Sequence, residues 1–244
     1  MSVTEERPAP RRGPAAKGSG PHSAARRAER NSQAALTALR QVALREFVAS
    51  GYYAVSIRDL AREAGITLSV LYHYYTSKQE LLYQVLNDAV DAFHTIYEQR
   101  MTEIGPGADP VSSFLLLVDA TVRYRALLPN ESLLFIRELR NLEPQFADRL
   151  ATRRDEVAHL FAELIRAGVE SGAFATPFPD DACRSLLATL NAIPNWYRNG
   201  GDITVEQLVE RYQRLALVIV EYAAKKAAKG GLPPGAAAPE KSRG

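Results

Sequence analysis

The segment SIRDLAREAGITLSVLYHYY, residues 56–75, carries hydroxyl, guanidinium, imidazole and phenol groups at short spacing. Hydroxyl and phenol groups suit phosphate oxygens, and the amides at a helix N-terminus attract anions. The segment divides into two short helices, because Ser56 and Thr67 are typical N-cap residues and Gly65 is a typical stop. Two such helices around a short turn make a helix-turn-helix, whose second helix enters the DNA major groove. The pattern therefore predicts a site for double-stranded DNA.

The stretch around this motif, residues 43–86, resembles the DNA-binding domain of TetR-type transcriptional regulators. The features that carry the resemblance are Phe47, Gly51-Tyr52, Ser56-Ile57, Ile66-Thr67, Leu71-Tyr72-His73-Tyr74-Tyr75 and Ser77-Lys78-Gln79-Glu80-Leu81. The resemblance implies that Tyr72 and His73 contact the DNA backbone and that Lys78 binds phosphate. It also implies that the start of the second helix faces bases or their phosphates. The predicted DNA-contacting residues are Ser56, Arg58, Thr67, Leu68, Ser69, Tyr72, His73 and Lys78.

Two positions depart from the family pattern. Many relatives carry Lys at the position of Leu68 and Gly at that of Ser69, so base preferences cannot be transferred to this chain. An apolar side chain at Leu68 suits the methyl group of thymine. For Tyr74 and Tyr75 we expect core packing rather than a contact with DNA.

Charge is distributed unevenly along the chain. Residues 1–78 hold 12 Lys and Arg and 6 Asp and Glu, a net charge of +6, whereas residues 79–224 hold 13 and 21, a net charge of −8. A basic N-terminal third favours a polyanion partner for that part, although solvated tails are the alternative. The arginines that precede the first predicted helix, and that we expect to add phosphate or minor-groove contacts, are Arg26, Arg27 and Arg30.

The chain as a whole predicts an all-α protein of about nine helices, because apolar residues recur at helical spacing and no segment alternates as a strand does. A Pro- and Gly-rich arm over residues 1–23 and a similar tail over 230–244 are predicted to be disordered. Between them we expect a helix-turn-helix DNA-binding domain over 24–82 and a helical ligand-binding and dimerisation domain over 83–229.

Residues that typically begin or end helices define several helix boundaries. The first helix is predicted from Ala34 to Ser50 and the last from Thr204 to Lys229, and residues 181–198 form the helix before it. Pro194 removes a backbone hydrogen bond and should kink or end that helix. The broad apolar stripe of the last helix predicts a dimer face, with packing inside one chain as the alternative; its residues are Leu208, Tyr212, Leu215 and Ile219. The family resemblance implies a homodimer on a palindromic operator.

A second resemblance concerns the effector. Segments 138–150, 168–174 and 190–204 look like the TetR-type regulators of fatty-acid and sterol-side-chain catabolism that respond to acyl-CoA thioesters. An acyl chain needs apolar walls, while CoA phosphates and adenine need arginine and an aromatic plane. The arginines considered for this role, which otherwise pair with nearby acids, are Arg123, Arg125, Arg137, Arg140 and Arg198. The predicted ligand-binding residues are Tyr97, Phe114, Tyr124, Phe135, Arg137, Phe161, Asn191, Trp196 and Tyr197.

Other classes of protein are disfavoured. The longest apolar run, Leu215 to Val220, is six residues, far below the roughly 20 that span a bilayer. A single cysteine, Cys183, and no secretory h-region favour a reducing cytoplasm. Common catalytic motifs and metal-ligand spacings are missing, so we expect no enzyme, metal or cofactor. The alternatives are a TetR-type regulator of efflux with a drug-like ligand, an enzyme with a hidden site, and a nonspecific DNA-binding protein.

Overall fold

The computed structural model describes residues 21–104 and 108–222, and every regular element in that part of the chain is helical. Within these ranges nine helices have seven or more residues, and one is a single turn, which confirms the all-α prediction. The helices are α1 Pro21–Ser50, α2 Ile57–Glu63, α3 Leu68–Tyr74, α4 Lys78–Ile104, α5 Pro110–Leu127, α6 Pro129–Glu138, α7 Pro144–Glu170, α8 Pro179–Asn191, α9 Ile193–Trp196 and α10 Val205–Ile219. A 3-10 turn, Leu139–Asn141, follows α6. None of the described helices is long and apolar enough to cross a membrane.

Side-chain caps begin two of the later helices. The Asp109 carboxylate accepts from the amides of Val111 and Ser112, at the start of α5. Thr204 and Gln207 form a reciprocal capping box at the start of α10. Each cap satisfies amides that have no partner inside the helix, so local sequence sets these boundaries.

The N-terminal boundary differs from the prediction. Helix α1 begins at Pro21, so residues 21–33 are helical although residues 21–23 were predicted to be disordered and the helix to begin at Ala34. The reason is composition: the segment AARRAERNSQAAL, residues 24–36, is rich in Ala and Arg, which are strong helix formers. The rest of the predicted arm, residues 1–20, and the predicted tail, 230–244, lie outside the described residues.

The C-terminal helices also end earlier than predicted. The helix predicted over 181–198 is two elements, α8 and α9, with Pro194 in the first turn of the second. Helix α10 stops at Ile219 rather than continuing through residue 222, since Glu221 adopts a left-handed conformation with φ 51°. The amide of Tyr222 then donates to the carbonyl of Leu217 at 2.9 Å, a bond that closes the helix end.

Two apolar clusters divide the described residues. One joins α1 to α3 with the first half of α4, and it includes Leu134, Leu142 and Leu150 from α6, the following turn and α7. The other surrounds α5, which packs against α4, α7, α8, α9 and α10. Helix α4 belongs to both clusters, because Val90 lies in the first and Phe93 in the second. The division between domains at residue 82 therefore stays a prediction. Helices α1 and α4, which flank the helix-turn-helix, pack against α6, and α4 also packs against α7.

Gly168 on α7 makes room for a buried ring. A Cβ at this position would lie 2.0 Å from Cδ2 of Phe174, whose side chain is buried. We predict that Gly168→Ala lowers the free energy of unfolding by about 1–3 kcal/mol through overpacking, although Ala is ordinarily the better helix former. Urea unfolding followed by circular dichroism measures this. The double variant Gly168→Ala/Phe174→Leu should recover part of the loss, and an unchanged midpoint for Gly168→Ala would contradict the close packing.

Candidate functional site

Local hydrogen bonds hold the helix-turn-helix. Ser56 caps α2 by accepting from the Asp59 amide at 3.1 Å, and Thr67 caps α3 by accepting from the Val70 amide at 3.3 Å. Between the helices, Gly65 has φ 68° and the Ile66 amide donates to the carbonyl of Ala61 at 3.0 Å. A left-handed residue of this kind favours glycine. The turn fixes α3 against α2 and leaves one side of α3 free.

Most of the predicted DNA contacts lie on that free side. The exposed members are Ser56, Arg58, Thr67, Ser69, Tyr72 and His73. Leu68 is only half-buried and packs against the N-terminal core, so a thymine contact would use the part of its side chain that remains outside. The exposed side chains of α2, α3 and their N-caps therefore include hydroxyl, phenol, imidazole and guanidinium groups. These groups suit phosphate and base edges, so the residues stay the predicted DNA contacts.

Lys78 is placed differently from the other predicted contacts. Its ammonium group donates to the carbonyl of Tyr52 and lies 4.2 Å from the centre of the Tyr52 ring. Burial lowers the pKa of the Lys78 ammonium, while the carboxylate of Glu138 acts in the opposite direction. The side chain that was predicted to bind phosphate thus braces the loop before α2.

The tyrosines at the end of α3 take different positions. Tyr75 is buried, as expected, and Arg40 lies within hydrogen-bond distance of its hydroxyl. Tyr74 is 39% exposed, contrary to the expectation of core packing, because its hydroxyl reaches Ser32 on α1. This contact links the N-terminal half of α1 to α3. The arginines of that half are exposed and lie two, five and six residues before Ser32; they are Arg30, Arg27 and Arg26.

A cavity of about 260 Å³ lies among α4, α5, α6, α7 and α8. Its walls are mainly apolar, with polar groups contributed by Thr121, Arg125, Arg153 and Asn191. Three predicted ligand residues line it: Tyr124, Phe135 and Asn191. Burial raises the pKa of the Tyr124 phenol well above its ordinary value, so this side chain stays neutral. The cavity is the candidate ligand site.

The other six predicted ligand residues do not line this cavity. Phe114 and Phe161 fill the core, and their ring centres lie 6.2 Å apart. Tyr97 stacks on Phe93, and the hydroxyl of Tyr197 donates to the carbonyl of Ile203 at 3.1 Å. Arg137 donates to Asn195 at 3.0 Å on the surface, and Trp196 is 47% exposed there. Aromatic character selected these residues, and most of them serve packing instead.

Arg125, which was considered only for CoA phosphates, is one of two cationic side chains that line the cavity, the other being Arg153. Its guanidinium donates to the Ser132 hydroxyl at 2.6 Å and to the Asn191 side-chain oxygen at 2.7 Å. Its Nε is shielded from solvent and has no hydrogen-bond partner among the described residues. Burial lowers the pKa of this guanidinium. Of the other arginines considered, Arg123 forms salt bridges with Asp119 and Glu206. This is the pairing with nearby acids that was the alternative to a role in CoA binding.

A largely buried polar network, formed by Tyr52, Lys78, Gln79, Glu138 and Asn141, joins the end of α6 and the turn that follows it to the loop before α2 and to the start of α4. The Glu138 carboxylate at the end of α6 accepts from the Tyr52 amide at 3.3 Å and from the Asn141 side chain at 2.6 Å. The Gln79 side chain donates to the Asn141 carbonyl at 2.9 Å. The next residue after Glu138, Leu139, lines the cavity. We refer to these five residues as the Glu138 network.

The predicted dimer stripe of α10 divides in the structure. Leu208 and Tyr212 are buried in the core of their own chain, so for these two residues the alternative of packing inside one chain replaces the predicted dimer face. They turn inward because α10 packs along α5. Ile219 is half-buried against the same core, and Leu215 is 47% exposed. Val218, which was not predicted, is 73% exposed and extends the outward apolar surface of α10.

Comparisons with known proteins agree with this arrangement. A profile described as "Bacterial regulatory proteins, tetR family" matches residues 39–85, and one described as "Tetracyclin repressor-like, C-terminal domain" matches residues 107–220. The chain is 27% identical over 184 residues to the HTH-type transcriptional repressor KstR2 of Mycolicibacterium smegmatis, covering 74% of this chain and 87% of that protein.

Solved structures share the fold. The ketosteroid transcriptional regulator KstR2 of Mycobacterium tuberculosis superposes with a TM-score of 0.66 and 24% identity, covering 75% of this chain and 93% of that one. AibR, whose structure is in complex with isovaleryl coenzyme A and operator DNA, gives a TM-score of 0.65 and 18% identity, covering 78% of this chain and 100% of that one. At these identities the structures establish the helical architecture of both parts of the chain.

The Glu138 network yields a stability prediction. Glu138→Ala removes the acceptor for the buried Tyr52 amide and the negative charge beside Lys78. We expect the free energy of unfolding to fall by about 1–3 kcal/mol. Glu138→Gln keeps an acceptor oxygen and should lose less. The exposed Glu163 on α7 is the matched control, because a surface change of this kind alters stability by about 0.5 kcal/mol or less. Equal midpoints for Glu138→Ala and Glu163→Ala in urea would contradict a structural role for the network.

Proposed function

The chain belongs to the TetR family of bacterial regulatory proteins, and from that premise we propose that it is a transcriptional repressor released from its operator by a small hydrophobic effector. The observation that carries the proposal is the position of the cavity. Leu139 lines the cavity and follows Glu138 in the chain. The Glu138 carboxylate accepts a hydrogen bond from the Tyr52 amide, in the loop that precedes the helix-turn-helix. A molecule in the cavity thus lies one residue from a contact that positions the DNA-binding helices.

The DNA-binding part of the proposal rests on the free face of α3. Its hydroxyl and phenol groups, with Arg58 on α2, match the groups that proteins use for phosphate contacts. Three exposed arginines on α1 add positive charge on the same N-terminal part of the chain. Leu68 and Ser69 at the start of α3 are placed to select bases, since the N-terminal residues of a recognition helix meet base edges.

The assignment of repression draws on the relatives. The KstR2 protein of Mycolicibacterium smegmatis is named a transcriptional repressor, and its counterpart from Mycobacterium tuberculosis is named a ketosteroid regulator. We therefore propose that this chain represses genes whose products act on a lipid-like or steroid-like compound. The apolar walls of the cavity are compatible with such a compound.

For the effector we propose an acyl-CoA thioester. A volume of about 260 Å³ is below the roughly 300–1,000 Å³ of pockets that enclose a whole drug-sized ligand. Only the acyl part would enter, and the CoA part would remain outside. Arg137 and Trp196 are suited to the phosphates and the adenine, because both are exposed and Arg137 follows the cavity-lining Ile136. The AibR structure with isovaleryl coenzyme A supplies a precedent within the same fold.

We further propose a homodimer formed through α8 and α10. The exposed apolar side chains of Leu215 and Val218 would then be covered by a partner. Two α3 helices related by a two-fold axis require half-sites separated by about 34–36 Å, one helical turn of DNA, or a multiple of it. A palindromic operator follows from this symmetry. Release requires that the effector bind better to the arrangement in which the α3 helices do not match that spacing.

The DNA face gives a prediction that separates charge from hydrogen bonding. Arg58→Ala should lower the slope of log affinity against log salt by about 0.9 for each phosphate that the side chain neutralises, whereas Tyr72→Phe should weaken binding without changing the slope. Both should act on every sequence tested. Changes at Ser69 should instead alter which operator is preferred. Fluorescence anisotropy across salt concentrations measures this, and identical salt slopes for Arg58→Ala and the parent chain would remove Arg58 from the interface.

The effector is tested on DNA from upstream of the chain's own gene. We expect acyl-CoA thioesters of increasing chain length to release the labelled DNA at about micromolar concentration, the usual range for small-molecule affinities. Free coenzyme A should have no effect, because it leaves the apolar cavity empty. Tight, salt-sensitive binding that no thioester relieves would keep the DNA-binding regulator and reject this effector class. Failure to bind any upstream DNA at low salt would reject the repressor itself.

A further inference from the structure

The guanidinium of Arg125 is a largely buried charge whose hydrogen-bond partners are neutral. It offers five N–H donors and uses two of them on the Ser132 hydroxyl and the Asn191 side-chain oxygen. Its Nε has no partner within the described part of the chain. A native protein seldom leaves donors of a buried group unmatched, since each costs about 1–3 kcal/mol. The unused donors indicate that a further acceptor completes this site.

Nearby arginines, unlike Arg125, form salt bridges with carboxylates. Arg123 and Arg100 share the buried carboxylate of Asp119, and Arg153 on the opposite wall pairs with Asp91. No salt bridge joins Arg125 to a carboxylate anywhere in the described ranges 21–104 and 108–222. Burial of an ion without a counter-charge is costly, on the order of several kcal/mol. The uncompensated charge therefore favours an anion.

The surroundings restrict which anion fits. Arg153, the other cationic side chain on the wall, is already paired, so the cavity supplies one unit of positive charge. The hydroxyl of Thr121 donates to the carbonyl of Leu117 at 2.7 Å and so its proton is not free for a ligand. One planar guanidinium matches one carboxylate in charge and in geometry, whereas a phosphate carries more charge and needs more donors. Most of the remaining lining is apolar, including Val90, Phe93, Phe135, Val157 and Leu187.

We infer that the cavity binds an apolar organic carboxylate whose carboxylate pairs with the guanidinium of Arg125. The inference deepens the proposed function, because it names the chemistry at the buried end of the effector and rests on this cavity being the effector site. Two sources share that chemistry. One is a free carboxylic acid; the other is an acyl-CoA thioester that carries a second carboxylate at the far end of its acyl chain, with CoA outside.

The test uses four probes of equal chain length on the full chain. Isothermal titration calorimetry compares octanoic acid, suberoyl-CoA, octanoyl-CoA and octanol. The carboxylate should raise affinity at least about tenfold, either for octanoic acid over octanol or for suberoyl-CoA over octanoyl-CoA. Preference in the first pair identifies a free acid, and preference in the second identifies a thioester with a distal carboxylate. Equal affinity within both pairs, or no binding by either carboxylate, would overturn the inference.

Variants assign the effect to the guanidinium. Arg125→Gln should abolish the preference for the carboxylate within each pair of probes. Arg125→Lys keeps the charge but not the planar pair of donors, and should restore part of it. Arg166→Gln, which removes an exposed arginine on α7, is the charge-matched control and should change nothing. A carboxylate preference that survives in Arg125→Gln would place the anion elsewhere and overturn the assignment.

A stability measurement separates ligand recognition from a purely structural role. Without ligand, Arg125→Met removes an uncompensated charge at similar volume, so it should unfold at the same urea concentration as the parent or at a higher one. A clearly lower midpoint would show that the arginine is retained for its bonds to Ser132 and Asn191, and would overturn the inference. DNA release is measured in parallel: carboxylate binding that depends on Arg125 but releases no DNA rejects the proposed function alone.

Discussion

The hydrogen bond between the Glu138 carboxylate and the Tyr52 amide constrains much of the molecule. Both groups are buried, and a buried carboxylate must keep its donors because water cannot replace them. The end of α6 is therefore tied to the loop between α1 and α2, and Gln79 ties the following turn to the start of α4. The helix-turn-helix cannot shift against α6 without breaking or exchanging these bonds.

Helix α6 has a second polar anchor near its other end. Ser132 accepts from Arg125 on the cavity wall, and Glu138 lies six residues further on, about 9 Å along the helix axis. A ten-residue helix moves as a rigid unit over that distance. An acceptor that draws the Arg125 guanidinium away from Ser132 would weaken the hydrogen bond at one end of α6. A shift of α6 as a unit would then strain the hydrogen bond between Glu138 and Tyr52 at its other end. Under the proposed function, α6 offers a physical route from the cavity to the proposed DNA-binding helices that needs no movement of the α5 core.

Local signals in the sequence predicted the local features of the fold. Ser56 and Thr67 each cap the helix that the sequence assigned to them, because a cap depends on residues within one turn. Periodicity alone did not determine which neighbour covers an apolar stripe. Leu208 and Tyr212 belong to the same stripe as Leu215, but the first two face α5. The position of Lys78 on Tyr52 depends on a contact 26 residues away in sequence, which no short motif encodes.

For the residues that line the cavity, the charges of neighbouring residues were a better predictor than aromatic side-chain type. Large aromatic side chains such as Phe114 and Phe161 are as useful for filling a core as for lining a site, so their chemistry did not separate the two roles. Arg125 carried a usable signal. It lies on α5, an otherwise largely buried helix, and the positions three and four residues away on either side are Thr121, Val122, Leu128 and Pro129. Arg123, by contrast, has Asp119 four residues before it. A cation on a buried helix without a local acid must find its counter-charge across the fold or in a ligand, and the described part of this chain supplies only neutral partners.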